Sequence, residues 1–411
     1  MSSAISCRIC HAPVTRTFVD LGVLPLSNAF IERDQANAGE VFFPLHAFVC
    51  DACFLVQVAE YEQPANIFNN DYVYFSSYSQ SWLDHAARYT EAMIERFGLG
   101  DGAHVVEVAS NDGYLLQYFL QRDMTVTGIE PAGNCAAVAR QKGVHTEVTF
   151  FGAESGRRIR DDRGAADLIA ANNVLAHVPE IDDFVAGFGK LMKPEGVTTF
   201  EFPHLMRLIE FNQFDTIYHE HFSYLSLRPL RQVFAKQGLR MFDVEELPTH
   251  GGSLRLFVCH RDAAHADSPA VAAMLSKEKA AGLEDLATYE SFATNVIDIK
   301  DAFLTFLVEA RRAGKTVAAY GAAAKGNTMI NFCGVGPDHI AFVVDRNPAK
   351  QDRLMPGSRI PVYDVSAISQ HRPDYLILLP WNLRDEIVEQ MAEIRSWGGR
   401  FVTAIPRLDV F

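Results

Sequence analysis

Between His104 and Phe202, short apolar runs of strand length alternate with amphipathic stretches of helix length, and this alternation constrains the fold more than any other feature. His104 to Ala109 predicts a buried strand, Gly113 to Arg122 a helix, Thr125 to Glu130 a strand and Asn134 to Lys142 a helix. Leu168 to Ala171, Ile181 to Met192 and Val197 to Phe202 continue the series. Strands joined by helical crossovers lie parallel with helices on both faces, so the expected class is α/β with a doubly wound, mostly parallel sheet. Ser268 to Arg312 has the spacing and composition of long helices. Val317 to Tyr320, a glycine-rich turn, a helix and Ile340 to Val344 then begin a second βα unit. Tyr72 to Leu99 reads as a polar, aromatic-rich connector.

Ahead of this pattern stand two cysteine pairs of two-residue spacing, Cys7 with Cys10 and Cys50 with Cys53. Each pair turns tightly enough to aim both sulfurs at one point, so the four thiolates can surround a structural zinc. The long gap between the pairs requires Leu21 to His46 to fold as an insertion. His11 is a poorer alternative ligand because it adjoins Cys10. The other cysteines, Cys135, Cys259 and Cys333, stand alone, as expected of reduced thiols and not of a disulfide framework.

The 411 residues carry 37 Lys plus Arg against 51 Asp plus Glu, a formal net charge of −14. That balance argues against a nucleic-acid coat or an anionic-membrane binder. No apolar run approaches the roughly 20 residues of a membrane span, and the amino terminus lacks the layout of a signal peptide, so a cytoplasmic protein is expected. No obligatory protein partner is evident.

Three segments carry chemistry. In VVEVASNDGYLL, Glu107, Asn111 and Asp112 lie on or follow a buried strand, at the end where open α/β sheets bind nucleosides, and Glu130 closes the next strand. The dinucleotide fingerprint is broken at Ala109, Asn111 and Tyr114. A loop with Glu107 and Asp112 repels a pyrophosphate but tolerates a sulfonium, which points to S-adenosylmethionine. Asn172 and His177 follow the strand that begins at Asp167, at the mouth of the same cleft. The second segment, FDTIYHEHFSYLS, concentrates Tyr218, His219, Glu220, His221 and Tyr224, enough for a base, an orienting group and a donor to an oxyanion. It is not a zinc-protease motif, because His219 and His221 are two apart. On an extended segment Tyr218 and Glu220 share a face; on a turn Tyr218 meets His221. The third, YGAAAKGNT, places Lys325, Asn327 and Thr328 at a helix start, with Asp345 closing the next strand. From Ala313 to Pro361 six basic residues, among them Arg346, Lys350, Arg353 and Arg359, face three acidic ones, giving +3 and a candidate diphosphate site.

Taken in order, the four-cysteine module with LGVLPLSNAF, YFSSYSQSWLDHA, EVASNDG, YHEHFSYLS, PTHGGSLR, YGAAAKGNT, DRNPAKQ and PGSRIPV resemble the S-adenosylmethionine-dependent C-methyltransferases of nucleotide-linked deoxysugars over essentially the whole chain. Many members carry Gly where Ala109 stands. The resemblance implies a zinc-binding module (1–70), a Rossmann-like methyltransferase domain (71–300) and a carboxy-terminal Rossmann-like domain (301–411) for the nucleotide of the sugar. It implies catalytic roles at Tyr218, Glu220 and His221 with His177 nearby, and cofactor contacts that include Phe75 and Tyr78. It also implies substrate contacts among Tyr224, Lys325, Asn327, Thr328, Asp345, Lys350 and Arg359.

Carbon methylation needs a carbanion equivalent, so the expected substrate is a 4-keto-6-deoxy nucleotide sugar methylated at C3, with dTDP as the expected nucleotide. His221 is expected to remove the proton, Glu220 to orient its ring, and Tyr218 to donate to the enolate oxygen. Competing readings are an O- or N-methyltransferase, a nicotinamide enzyme using Gly321 and Asp345, and a non-catalytic nucleotide-sugar sensor.

Overall fold

The computed structural model describes residues 5–67 and 72–411. The expected boundary between residues 70 and 71 lies outside them. A seven-stranded sheet forms the centre. Its spatial order is Leu239–Leu247, Ser253–His260, Met192–Pro203, Ala166–Asn172, His104–Val108, Thr125–Ile129 and Thr146–Glu147. The five strands from His104 to Pro203 in the chain are parallel; Ser253–His260 runs antiparallel to Met192–Pro203, and Leu239–Leu247 runs antiparallel to Ser253–His260 at the edge. The predicted strands are all present. The predicted helix from Gly113 shortens to Leu116–Leu120, because Asn111 and Gly113 hold left-handed φ of 47° and 76° and delay helical geometry.

The connector is largely a helix, contrary to its reading from composition. Gln80–Phe97 starts at Ser79, whose side chain accepts from the Trp82 amide, and ends at left-handed Gly98. Ala86, Tyr89, Thr90 and Met93 supply one buried stripe at helical spacing, masked in the sequence by the charges between them.

The carboxy-terminal sheet runs Val362–Tyr363, Val343–Val344, Val317–Tyr320, Tyr375–Leu378, Arg400–Thr403 and Asp409–Val410, parallel except for the last strand. The long helical region resolves into Pro269–Ala280 and Leu286–Arg312. The second of these buries Phe292, Val296 and Phe303 in a core shared by the carboxy-terminal sheet and by Phe18, Leu45 and Val56 of the amino-terminal sheet.

That amino-terminal sheet determines where the site forms. Its strands Arg16–Pro25, Phe42–Val49 and Val56–Val58 are extended by Ser223–Tyr224, two residues beyond His221. The insertion between the cysteine pairs also pairs Ile31–Glu32 with Arg353–Leu354. The module therefore clamps both the Tyr218–Tyr224 segment and the second βα unit.

Candidate active site

The carboxyl ends of the central strands open into a cavity of about 690 Å³, closed on its other sides by the amino-terminal module and by the start of the helix Ala324–Phe332. Asn111, Glu130, Asn172, His177, Tyr218, Glu220, His221, Lys325 and Lys350 all reach its wall, so the three chemistry-bearing segments converge on one space.

The segment after Ile217 makes a turn in which the His221 amide donates to the Tyr218 carbonyl at 2.9 Å, so the turn geometry holds and Tyr218 meets His221. Thr328 Oγ1 donates to the Ile217 carbonyl at 3.1 Å, anchoring the entry to this turn. His221 Nδ1 lies 2.9 Å from the Thr216 carbonyl and can only donate to it, which makes Nε2 the acceptor for the Tyr218 hydroxyl at 2.7 Å. Thr216, not Glu220, therefore orients the imidazole. The Tyr218 proton points at His221 and leaves the phenol oxygen to face other partners as an acceptor, opposite to the donor role expected of it. Glu220 turns the other way and accepts from Asn28 Nδ2 at 2.7 Å. His177 donates from Nδ1 to the Glu220 carbonyl at 2.8 Å, and its ring stands edge-on to His221.

Burial dominates the electrostatics. It holds His221 well below the usual imidazole range, reinforced by the neighbouring His177, His250 and Lys325, and it lowers His177 to about 4. Both rings are neutral at pH 7. Burial pushes Tyr218 well above its ordinary value and raises Glu220 to about 7, the latter offset by Asn28 and Lys350.

At the other end, Ala109 (φ 60°) and Asn111 (φ 47°) bend the first βα loop so that its backbone approaches the cavity. Glu130 braces that loop, accepting from the Asn111 amide at 2.9 Å and from the Ala132 amide at 2.8 Å while still lining the cavity. Burial raises it to about 7 despite those two hydrogen bonds. The side-chain oxygens of Asn172 and Asn173 are buried without a hydrogen bond of good geometry among the described residues. With Trp82, Tyr74 and Phe150 on the wall, acceptors beside aromatic surface suit a nucleoside. Glu107 lies behind this surface, wholly buried beside Tyr114, and its carboxyl is pushed well up by burial. Asp112 pairs with Lys142 at 3.2 Å. Phe75 and Tyr78 contact each other outside the cavity, while Tyr74 and Ser76 line it; the Ser76 amide donates to Asn111 Oδ1 at 2.9 Å.

On the carboxy-terminal side, Lys325 donates to Asn382 Oδ1 at 2.6 Å and sits 4.8 Å from the Trp381 ring centre, with the Asp215 carboxylate nearby. Asp215 is buried, accepts from Trp381 Nε1 at 2.7 Å, and is raised by burial to about 6. Asn327 accepts from Asn331 at 2.9 Å within its own helix, and Tyr224 packs with its ring centre 6.3 Å from that of His221. Asp345 accepts from the Ala322 and Asn347 amides, each at 2.8 Å. The basic run is largely matched by the amino-terminal insertion. Arg353 meets Glu32 at 2.7 Å and Arg359 meets Glu40 at 3.3 Å, so Arg359 lies away from the cavity wall.

The sulfurs of Cys7, Cys10, Cys50 and Cys53 lie within 4.8 Å of one another, three of the residues buried. A tetrahedral zinc with Zn–S of about 2.3 Å sets its sulfurs about 3.8 Å apart, so this donor set fits zinc. His11 instead approaches Asp182 at 3.4 Å with its side chain 65% exposed. Among the described residues no helix is long and apolar enough to cross a membrane.

Sequence reasoning missed Asn28, Trp82, Asp215, His250 and Trp381. Asn28, Trp82, Asp215 and His250 lie inside the motifs LPLSNAF, YFSSYSQSWLDHA, FDTIYHEHFSYLS and PTHGGSLR, yet their partners are distant in the chain.

Three domain families match consecutive parts of the chain. One described as a zinc binding domain covers residues 7–68, one described as a methyltransferase domain covers 82–244, and one described as a C-methyltransferase C-terminal domain covers 248–406. The C-methyltransferase NovU of Streptomyces niveus is 38% identical over 400 residues, 97% of this chain and 95% of its own. Among solved structures, magnesium protoporphyrin IX methyltransferase of Synechocystis is 14% identical with a TM-score of 0.34, covering 44% of this chain and 81% of its own. A methyltransferase of Anabaena variabilis is 14% identical with a TM-score of 0.36, covering 44% and 87%.

Proposed function

The chain belongs to the S-adenosylmethionine-dependent C-methyltransferases, and from that premise we propose that it methylates a carbon beside the ketone of a 4-keto-6-deoxy nucleotide sugar, C3 of a dTDP sugar by preference. The observation that carries this reading is the Tyr218–His221 pair, neutral, part-buried and hydrogen-bonded at 2.7 Å on the wall of the 690 Å³ cavity. An O- or N-acceptor needs one base beside a hydroxyl or amine; a paired phenol and imidazole suits the harder removal of a carbon-bound proton.

S-adenosylmethionine supplies an electrophilic methyl on a sulfonium. We assign the ribose hydroxyls to Glu130, which lines the cavity, and the nucleoside to the space beside the bent Ala109–Gly113 loop. Tyr218 takes the substrate proton on its oxygen as its own proton passes to His221 Nε2, so no free phenolate is required at neutral pH. The Thr216 carbonyl stabilises the imidazolium formed. Asn28 fixes the Glu220 carboxylate, and Lys325 and Lys350 supply positive charge on the side assigned to the nucleotide sugar. Holding carbon and methyl in line contributes several of the roughly 7–11 kcal/mol available from orientation.

Incubation with S-adenosylmethionine and a panel of 4-ketosugar nucleotides, read by mass and by NMR of the position, tests the proposal. A single methyl on the carbon next to the ketone is expected. Methylation of an oxygen or nitrogen, or turnover only of sugars without a ketone, contradicts it.

A further inference from the structure

If the Tyr218 proton is directed at His221, another group must meet the charge that develops on the ketone oxygen. His250 stands on the same cavity wall, in the PTHGGS loop that no step above has used. Its backbone is left-handed (φ 53°), a conformation open to histidine and one that its surroundings can hold in place. Here they do. Thr249 Oγ1 donates to Glu201 at 3.0 Å, and Glu201 is itself held by Arg255 at 2.8 Å and His85 at 2.9 Å. Gln213 donates to the Gly251 carbonyl at 2.8 Å, and a Cβ on Gly251 would fall 2.4 Å from Trp381. The loop is thus fixed from both sides, with His250 at its tip and its ring centre 5.3 Å from that of Trp82.

The partner of this histidine is left-handed as well. Asn173, also at φ 53°, places Nδ2 3.2 Å from His250 Nε2. An amide nitrogen only donates, so Nε2 accepts and the ring proton resides on Nδ1. Nδ1 makes no hydrogen bond among the described residues. His221 and His250 line the same cavity, with Lys325 and Trp82 also on its wall.

We propose that His250 is a catalytic residue whose Nδ1–H donates to the substrate ketone oxygen as the enolate forms, with Asn173 fixing its tautomer. The inference rests on the ketosugar reading above. In the step, the C–H bond breaks and its proton goes to the Tyr218 oxygen. The C–H pair becomes the new C=C bond, and the carbonyl pair moves onto the oxygen that His250 meets. On methyl transfer that pair returns, the carbon–methyl bond forms and the methyl–sulfur bond breaks.

The test is solvent deuterium incorporation beside the ketone, measured without cofactor, together with the melting temperature and S-adenosylmethionine affinity. His250→Gly removes the ring and relaxes the backbone, so exchange should slow by about 100-fold, the loss expected of one oxyanion donor, while cofactor affinity holds and the melting temperature holds or rises. His250→Asn, which tolerates left-handed geometry and offers an amide donor, should recover part of the rate. Asn173→Asp would accept from Nε2–H, strip the proton from Nδ1, and slow exchange as much as His250→Gly does. Wild-type exchange rates in His250→Gly or Asn173→Asp would overturn the assignment, as would a loss of exchange that only follows a fall in melting temperature. Absence of exchange by the wild-type chain on every ketosugar would instead remove the ketosugar reading, and this inference with it.

Discussion

The two Rossmann-like units use one device to opposite ends. In each, a carboxylate closing the second strand accepts one amide from the first βα loop and one from its own: Glu130 from Asn111 and Ala132, Asp345 from Ala322 and Asn347. Glu130, one methylene longer, still reaches the cavity; Asp345 does not. Both loops also need a left-handed residue, which is Gly321 (φ 91°) in the carboxy-terminal unit but Ala109 (φ 60°) in the central one. A shared local geometry therefore does not imply a shared ligand. What the carboxylate does depends on whether its side chain extends past the backbone it braces.

The sharpest way to break this comparison is at the glycine. A Cβ on Gly321 would lie 2.6 Å from Pro380 Cδ, in a conformation already unfavourable for alanine. Gly321→Ala should cost about 2–5 kcal/mol of unfolding free energy in a denaturant titration, combining backbone strain with overpacking. A loss below 1 kcal/mol would show that the loop yields.

Next come the carboxylates. Glu130→Gln and Asp345→Asn each turn one braced amide toward an NH₂ group, and each should lose about 1–3 kcal/mol of stability. Only Glu130→Gln should also weaken S-adenosylmethionine, by roughly 10–100-fold for a lost charge-assisted contact, read by calorimetry. Equal loss of affinity in both variants would erase the distinction.

A smaller effect follows from pH. Glu130 is raised from 4.5 to about 7, so the folded chain holds this proton more tightly than the unfolded chain, and its contribution to stability falls as pH rises between those values. Cofactor binding to the ionised form has the opposite sign: affinity should rise several-fold from pH 6 to pH 8, by about the amount one titrating group allows, and Glu130→Gln should lack this rise.

The smallest effect is at Ala109, where glycine should stabilise by about 0.5–1 kcal/mol, the relief of left-handed strain less the entropy gained by the unfolded chain. A loss would mean that the Ala109 methyl packs usefully against its surroundings.

What was legible in the sequence was local. The alternation of strands and helices, the cysteine pairs and the crowding of Tyr218, Glu220 and His221 are patterns within short windows, and each is found in place. What was not legible depends on contacts between distant residues. Asn28 reaches Glu220 across 192 positions, and Trp381 reaches Asp215 across 166. The basic run near Arg353 and Arg359 read as an anion site because its carboxylate partners, Glu32 and Glu40, lie more than 300 residues earlier. The orientation of His221 was misjudged for a simpler reason: its partner is the Thr216 backbone carbonyl, which no side-chain motif announces.

The most direct measurement is a structure of the chain bound to S-adenosylhomocysteine and a nucleotide diphosphate. The account predicts ribose hydroxyls on Glu130, the thioether sulfur facing Tyr218 and His221, and the diphosphate beside Lys325 and Lys350. A nucleoside seated over Asp345, with Glu130 bare, would contradict it.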